Sequence, residues 1–391
     1  MKHYQYLIIG GGLTADPAVR GVRELDTEGS IGIISMEPDP PYTRPNLSKG
    51  LWKGHPIEKI WRHTQNLNAE LHLGRKVIHL DPLEKCVRDE KGDEYTFDKV
   101  LLAMGGSPIR LPFGEDNIIY FRSLQDYRHL RAISERGENF LVIGGGFIGS
   151  EIAAALTIVG KKVVMIFPQE AIGASIYPSD LAQFLNDYYR QKGVEIVTND
   201  SVANVEKHGT RFTVQTRSGR TFEADGVVAG IGIRPNLELA QQAGLHVENG
   251  IVVDEHLRTS APGVFAAGDI ANFYHQVLGK RVRVEHEDNA IRMGKLAGRN
   301  MAGANESYFH VPMFYSDLFE LGYEAVGDLS SKLETVTDWQ EPFKKGMVYY
   351  LNNGRVRGVL LWNVWDKIPA ARTLLAEPGP FQPIDMKGRL S

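Results

Sequence analysis

An α/β fold with two repeated strand–turn–helix–strand units, followed by a smaller α+β domain, is what the sequence predicts, on three observations. The apolar run YQYLII at 4–9 leads into GGGLTA and then a helical pattern over residues 19–25. The run FLVI at 140–143 leads into GGGFIG and the helical run SEIAAALTIVG, 134 positions after the first. Each unit is followed by another apolar strand, SIGIISM or KKVVMIF. The third observation is a change of character near residue 311, where Phe314, Tyr315, Phe319 and Tyr323 cluster.

The remaining elements follow in order. Residues 76–102 read as hairpins, with turn signals at Asp81-Pro82 and Lys91-Gly92-Asp93. EIVTN, SVANVEKHG, RFTVQTRSGR and TFEADGVVAGIG read as matching insertion strands in the second unit. After Pro235 come a short helix (NLELAQQAG), the strands GIVVDEHLRTS and GVFAAGD, and a helix over roughly 288–302. Strands MVYYLN and VRGVLLWNV and a helix near 369–375 complete the third domain, and the proline-rich tail from Glu377 reads as irregular. The expected domains are 1–112 with 252–310, then 113–251, then 311–391.

Composition narrows the function. The hydrophobic fraction of 42% and charged fraction of 24% fit a globular chain. A net charge of −4 argues against a nucleic-acid binder. No apolar stretch approaches the length needed to span a bilayer. Lys2 and His3 run straight into a strand pattern, so no signal peptide is expected. The single cysteine, Cys86, excludes an intrachain disulfide, a CxxC pair and a four-cysteine metal site. A reducing cytoplasm fits, and Cys86 is expected to be a buried, inert thiol on a hairpin strand. The 12 histidines show no metal-ligand spacing, so no metal is expected.

The glycine motifs carry chemistry. In Gly10-x-Gly12-x-x-Ala15 the glycines permit a tight turn and let backbone N–H groups approach a pyrophosphate at a helix N-terminus. Glu37 ends the next strand, where a carboxylate accepts hydrogen bonds from an adenine ribose. Pro17 is tolerated in a first helical turn. Asp16 would repel a pyrophosphate, so its side chain is expected to point outward. The second motif is Gly144-x-Gly146-x-x-Gly149, and its strand ends at Gln169 and Glu170, which can hold ribose hydroxyls. No Arg or Lys follows until Arg190, so nothing local pairs a 2′-phosphate and NAD(H) is expected over NADP(H). In Ala267-Gly268-Asp269 the aspartate stands at a strand end, where it either binds a sugar-like polyol or caps the next helix. Two nucleotide sites without redox cysteines suggest one non-covalently bound FAD and one exchanging NADH.

The strings PYTRPNLSKGLW (41–52), LLAMGG (101–106), GGGFIGSE (144–151), GIGIRPN (230–236), GVFAAGD (263–269) and VEHEDNA (284–290) resemble the FAD-dependent pyridine nucleotide reductases. The resemblance implies two Rossmann-like dinucleotide-binding domains, for FAD and NADH, of glutathione-reductase-like type, plus a smaller C-terminal α+β domain. MFYSDLFELGYEAVG (313–327) and VLLWNVWDKIPAARTLL (359–375) are similar to the apoptosis-inducing factor branch, with the ferredoxin and rubredoxin reductase branch next. Met104 stands where the family usually has Thr. Thiol-dependent members carry cysteine in the first domain, where this chain reads Pro45-Asn46-Leu47-Ser48-Lys49, so reduction through a thiol is not expected. Animal members of the apoptosis-inducing factor branch carry a targeting segment and a long C-terminal-domain insertion. Neither is visible here, so a cell-death role is not expected.

The resemblance also implies site roles. Residues matching Lys49 and Glu151 form a pair at the flavin N5 side, where the carboxylate fixes the lysine and the nicotinamide carboxamide. Spacing alone also allows a solvated lysine and a glutamate favoured by the helix dipole. By position alone, Phe147 covers the flavin or packs the helix, His286 contacts flavin or nicotinamide or is structural or solvated, Tyr315 stacks near the isoalloxazine or belongs to an aromatic core, and Arg44 reaches the FAD pyrophosphate or lies on the surface. Gly268, Asp269, Glu285 and Gly232 complete the expected cofactor contacts. Backbone N–H groups near 289–292 are expected to face the flavin. The expected function is hydride transfer from NADH to FAD, then electron transfer to an unidentified acceptor: ferredoxin, quinone or oxygen. One alternative is an NADH:ferredoxin or rubredoxin reductase, for which Lys280, Arg281 and Arg283 offer basic charge. The other is an NADH-sensing interaction protein, and the sequence is compatible with a homodimer.

Overall fold

The computed structural model describes residues 1–114 and 117–390. Its helices are α1 (Ala15–Arg23), α2 (Leu124–Ser134), α3 (Phe147–Ile158), α4 (Ser179–Gln191), α5 (Glu238–Gln242), α6 (Glu287–Met301) and α7 (Ile368–Ala376). The chain forms two compact units.

The first unit comprises residues 1–44, 57–107 and 234–312. Its sheet runs Ala69–Leu73, Ile31–Ser35, Lys2–Ile9, Glu94–Leu102, then Cys86–Asp89 and Val77–Asp81, with Val264–Ala266 also paired to Glu94–Leu102. The central strands are parallel, with Ile8 beside Ile33 on one side and Leu101 on the other. Every residue of Ile31–Ser35 is buried, which explains an unbroken apolar run rather than an alternating one. The hairpins expected over 76–102 form as antiparallel pairs. Helix α1 starts at Ala15, earlier than its apolar pattern suggests, because Pro17 sits comfortably in the first turn.

The second unit comprises residues 45–56, 108–233 and 313–391. A parallel sheet runs Val194–Val197, Lys162–Ile166, Asn139–Ile143, Gly226–Ala229, Ile119–Tyr120. The expected insertion strands Val202–His208, Arg211–Thr216 and Thr221–Ala224 form a separate antiparallel sheet. The C-terminal sheet is antiparallel, in the order Met313–Leu318, Leu321–Gly327, Arg355–Trp362, Lys345–Asn352, Glu334–Glu341, with α7 packed on it. The tail beyond Glu377 is irregular apart from a short 3₁₀ turn at Pro383–Met386. Among the described residues no helix is long and apolar enough to cross a membrane. None of their side-chain groups forms a metal-ligating cluster of three or more.

Candidate functional site

The first glycine loop ends the strand Lys2–Ile9. Gly10 has φ +110°, and a Cβ there would lie 2.3 Å from the Ala103 carbonyl oxygen, so only glycine makes this turn. At Gly12 the space is open, and the nearest atom to an added Cβ is Arg44 Nη2 at 3.7 Å. An opening therefore lies beside the start of α1, where Ala15 is buried. Glu37 pairs with Arg44 and accepts a hydrogen bond from Tyr42 Oη at 2.6 Å. The Arg44 guanidinium lies 5.0 Å from the Tyr42 ring centroid. Burial works against its charge, but Tyr42, Glu37 and Asp269 hold its pKa above the ordinary guanidinium value. Gly12, Glu37 and Arg44 thus converge, and this set fits an adenine dinucleotide.

Asp16 does not point outward. It is fully buried, with Arg20 Nε at 2.9 Å, Arg62 Nη2 at 3.0 Å and Thr64 Oγ1 at 2.9 Å. Two guanidinium groups neutralise the carboxylate and a hydroxyl donates to it, which removes the repulsion that the sequence suggests.

Gly268 and Asp269 form a 3₁₀ turn after the strand Val264–Ala266. Arg283 Nη1 donates to the Asp269 carbonyl at 3.0 Å and pairs with Glu285. Arg281 Nη1 donates to the carbonyls of Val253 and Asn272 at 3.1 and 2.9 Å. Two of the three basic residues near 280–283 are therefore held in place by backbone carbonyls, and Lys280 and Arg281 are exposed.

His286 is the N-cap of α6, and burial pushes its imidazole down to about 4 against the opposing pull of Asp269 and Asp288. The Ala290 N–H already donates to the His286 carbonyl at 3.0 Å. The N–H groups that precede the first intrahelical bond belong to 287–289.

The second unit repeats the turn. Gly144 has φ +113°, and a Cβ there would meet the Gly230 carbonyl oxygen at 2.4 Å. Gly149 packs α3 onto the loop so closely that a Cβ would lie 2.0 Å from the Gly144 carbonyl oxygen. Gly146 has nothing within 4 Å of an added Cβ. Gln169 and Glu170 are exposed just beyond the strand Lys162–Ile166, and their carbonyls accept from Asn199 N and Asn186 Nδ2 at 3.1 and 3.0 Å. Gly232 lies between Gly226–Ala229 and Ile233–Pro235, and its carbonyl accepts from the Ile109 N–H at 3.0 Å.

Lys49 and Glu151, 102 positions apart, do form a pair: Lys49 Nζ lies 2.7 Å from Glu151 Oε2. Their side chains are 12% and 3% exposed, which rules out two solvated surface charges. Glu151 also accepts from Ser48 Oγ on Oε2 and from Ser316 Oγ on Oε1, both at 2.6 Å. Neither serine was anticipated. Ser48 adjoins Lys49 in the sequence, whereas Ser316 carries no local signal. Lys49 Nζ lies 5.3 Å from the centroid of the half-exposed Tyr315 ring. Phe147, also partly exposed, meets Phe314 edge-on at 5.8 Å. Trp52 Nε1 donates to the Leu47 carbonyl at 2.8 Å and its ring packs on Tyr127, so the 45–56 segment is pinned.

Cys86 lies on the hairpin strand Cys86–Asp89, as expected, but it is half-buried rather than buried. Burial, with Asp81, Glu94 and Glu84 nearby, pushes its thiol up and disfavours the reactive thiolate.

Two dinucleotide loops on parallel α/β sheets define an FAD-dependent NAD(P)H oxidoreductase. The chain belongs to the pyridine nucleotide-disulphide oxidoreductase family, whose profile matches residues 4–294. A second profile, the mitochondrion-associated C-terminal domain of apoptosis-inducing factor, matches 297–342 and 337–377. The chain is 34% identical to apoptosis-inducing factor 1, mitochondrial, of Dictyostelium discoideum, over 96% of its own length and 79% of the relative. It is 33% identical to the 5,5'-dehydrodivanillate O-demethylase ferredoxin reductase subunit of Sphingobium sp., over 91% and 89% of the two chains. Putidaredoxin reductase, from its covalent complex with putidaredoxin, superposes with a TM-score of 0.90 at 29% identity, covering 98% of this chain and 95% of that one.

Proposed function

We propose that the protein binds NADH at the second glycine loop, takes its hydride onto FAD and passes the electrons to a separate small iron–sulfur carrier. The observation that carries this reading is the buried Lys49–Glu151 pair, which occupies the segment where thiol-dependent relatives place cysteine. With Cys86 alone, no dithiol can store electrons, so they leave the chain. The ferredoxin reductase relative and the reductase joined to putidaredoxin favour an iron–sulfur carrier over quinone or oxygen. The single cysteine supports a cytoplasmic location.

Bound FAD supplies a ring that takes up hydride and releases electrons. In this reading Gly10, Gly12, Ala15 and Arg44 hold the FAD pyrophosphate. Glu37, oriented by Tyr42, takes the ribose, and Gly268, Asp269, Glu285 and His286 complete that site. Gly144, Gly146 and Gly149 hold the NADH pyrophosphate, Gly232 borders that site, and Gln169 and Glu170 take the ribose hydroxyls. Lys49 faces the flavin ring, Glu151 fixes it, and Phe147 and Tyr315 wall the ring from water. The domain division 1–112 with 252–310, 113–251 and 311–391 is part of the same reading.

Anaerobic mixing with NADH or NADPH, followed by addition of a [2Fe–2S] ferredoxin, tests both halves. Flavin reduction should be about tenfold faster or more with NADH, because no local cation pairs a 2′-phosphate. The ferredoxin should then be reduced within turnover times. Equal rates with NADPH overturn the coenzyme assignment. Rapid reoxidation by quinone with no ferredoxin reduction overturns the acceptor.

A further inference from the structure

We infer that Ser48 and Ser316 are positioning residues for Lys49, acting through Glu151. The inference rests on the reading of Lys49 as facing the flavin. A carboxylate that is 3% exposed is costly unless its lone pairs are filled. Here Oε2 accepts from Ser48 Oγ at 2.6 Å and from Lys49 Nζ at 2.7 Å, and Oε1 accepts from Ser316 Oγ at 2.6 Å. The two serines approach different oxygens, so they fix the rotation of the carboxylate as well as its place.

That matters because lysine cannot fix itself. Its ammonium is a point charge on a flexible four-carbon stem. A carboxylate locked by two neutral donors gives that charge one preferred location, beside the Tyr315 ring. Both serines stand on firm backbone. Ser316 is 1% exposed and lies in the strand Met313–Leu318, paired in register with Tyr323, whose ring stacks on Trp362 at 5.8 Å. Ser48 lies in the segment pinned by the hydrogen bond from Trp52 to Leu47. The C-terminal sheet thereby supplies both the hydroxyl that orients Glu151 and, one residue earlier, the ring beside Lys49.

The test uses the full-length, FAD-loaded protein with Ser316→Ala, Ser48→Ala, Lys49→Met and the Ser316→Ala/Lys49→Met double variant. The deciding quantities are the flavin midpoint potential by dye equilibration and the limiting rate of flavin reduction by NADH, with flavin content, NADH affinity and thermal stability as controls. Each serine variant should lower the potential and slow reduction by about tenfold, the loss of one charge-assisted hydrogen bond. Flavin content and the NADH dissociation constant should not change. Ser316→Ala should add no further shift on top of Lys49→Met, because it acts through that lysine. A potential shift that is as large in the Lys49→Met background overturns the inference. So does a pair of serine variants that lose only thermal stability. If Lys49→Met itself leaves the potential unchanged, the placement of Lys49 at the flavin fails first, and that result is distinct from the other two.

Discussion

The two glycine loops use one device in different surroundings. Gly10 and Gly144 make the same left-handed turn, and Gly12 and Gly146 both leave room where a side chain would stand. Around the first loop, charges are matched: the buried Asp16 by Arg20 and Arg62, and the partly buried Glu37 by Arg44 and Tyr42. Around the second, Gln169 and Glu170 are exposed, and Phe147 and Ile148 are each 37% exposed. A preorganised, closed loop retains its nucleotide, whereas an open one releases it, because affinity follows preorganisation more than contact area. Retention is therefore written in the surroundings of the motif and not in the motif, and this suits a resident FAD and an exchanging NADH.

The largest effect should come from loosening the closed side. Gly298, in α6, comes so close to α1 that a Cβ would lie 2.0 Å from the Ala18 carbonyl oxygen. Gly298→Val should separate the helices, cost about 3 kcal/mol and release FAD. Flavin content after gel filtration and the unfolding midpoint check this. A yellow, fully stable variant would mean that this helix contact does not secure the first loop.

Much of this contrast is legible in the sequence, and the rest is not, for physical reasons. The glycine spacings and flanking apolar strands identify both loops because turn chemistry is local. The Ser123/Asp126 capping box of α2 and the Leu181, Leu185, Tyr189 stripe of α4 are also local signals. The strand Glu334–Glu341 alternates weakly and carries few apolar residues, so period alone does not find it. The partners of Asp16 and Glu151 belong to another class: Arg62 lies 46 positions from Asp16, and Ser316 lies 165 from Glu151. Only the completed fold brings such donors to a carboxylate. For the same reason the Lys49–Glu151 pair is visible in the sequence through resemblance and not through spacing.

A smaller effect separates the loops by pH. His286 belongs to the unit of the first loop and titrates near 4 when folded, against about 6.5 unfolded. Between those values the unfolded chain binds a proton that the folded chain does not, so stability is complete above pH 6.5 and falls as pH drops toward 4. Denaturant unfolding at pH 8 and pH 5 should differ by about 2 kcal/mol more in wild type than in His286→Gln. Identical pH dependence in the two proteins would mean that His286 is readily protonated in the folded state.

The smallest effect sharpens the comparison most, because it touches no packing. Beyond its chain neighbours, an alanine methyl at Gly146 meets no atom within 4 Å, and one at Gly12 meets only Arg44 Nη2 at 3.7 Å. Gly146 has φ −86°, which alanine tolerates, so Gly146→Ala should leave the unfolding midpoint within error of wild type. The methyl would instead stand where a pyrophosphate must approach the backbone. The dissociation constant for NADH should rise about tenfold, equivalent to about 1.4 kcal/mol, with FAD content unchanged. Gly12→Ala should do the reverse, lowering FAD retention while leaving NADH binding to the flavin-loaded fraction intact. Titration of each variant with NADH, alongside its flavin-to-protein absorbance ratio, reads both outcomes in one experiment. If Gly146→Ala loses FAD, or Gly12→Ala weakens NADH with FAD fully bound, the two loops are assigned to the wrong nucleotides. The contrast between a closed and an open site would then need to be reversed.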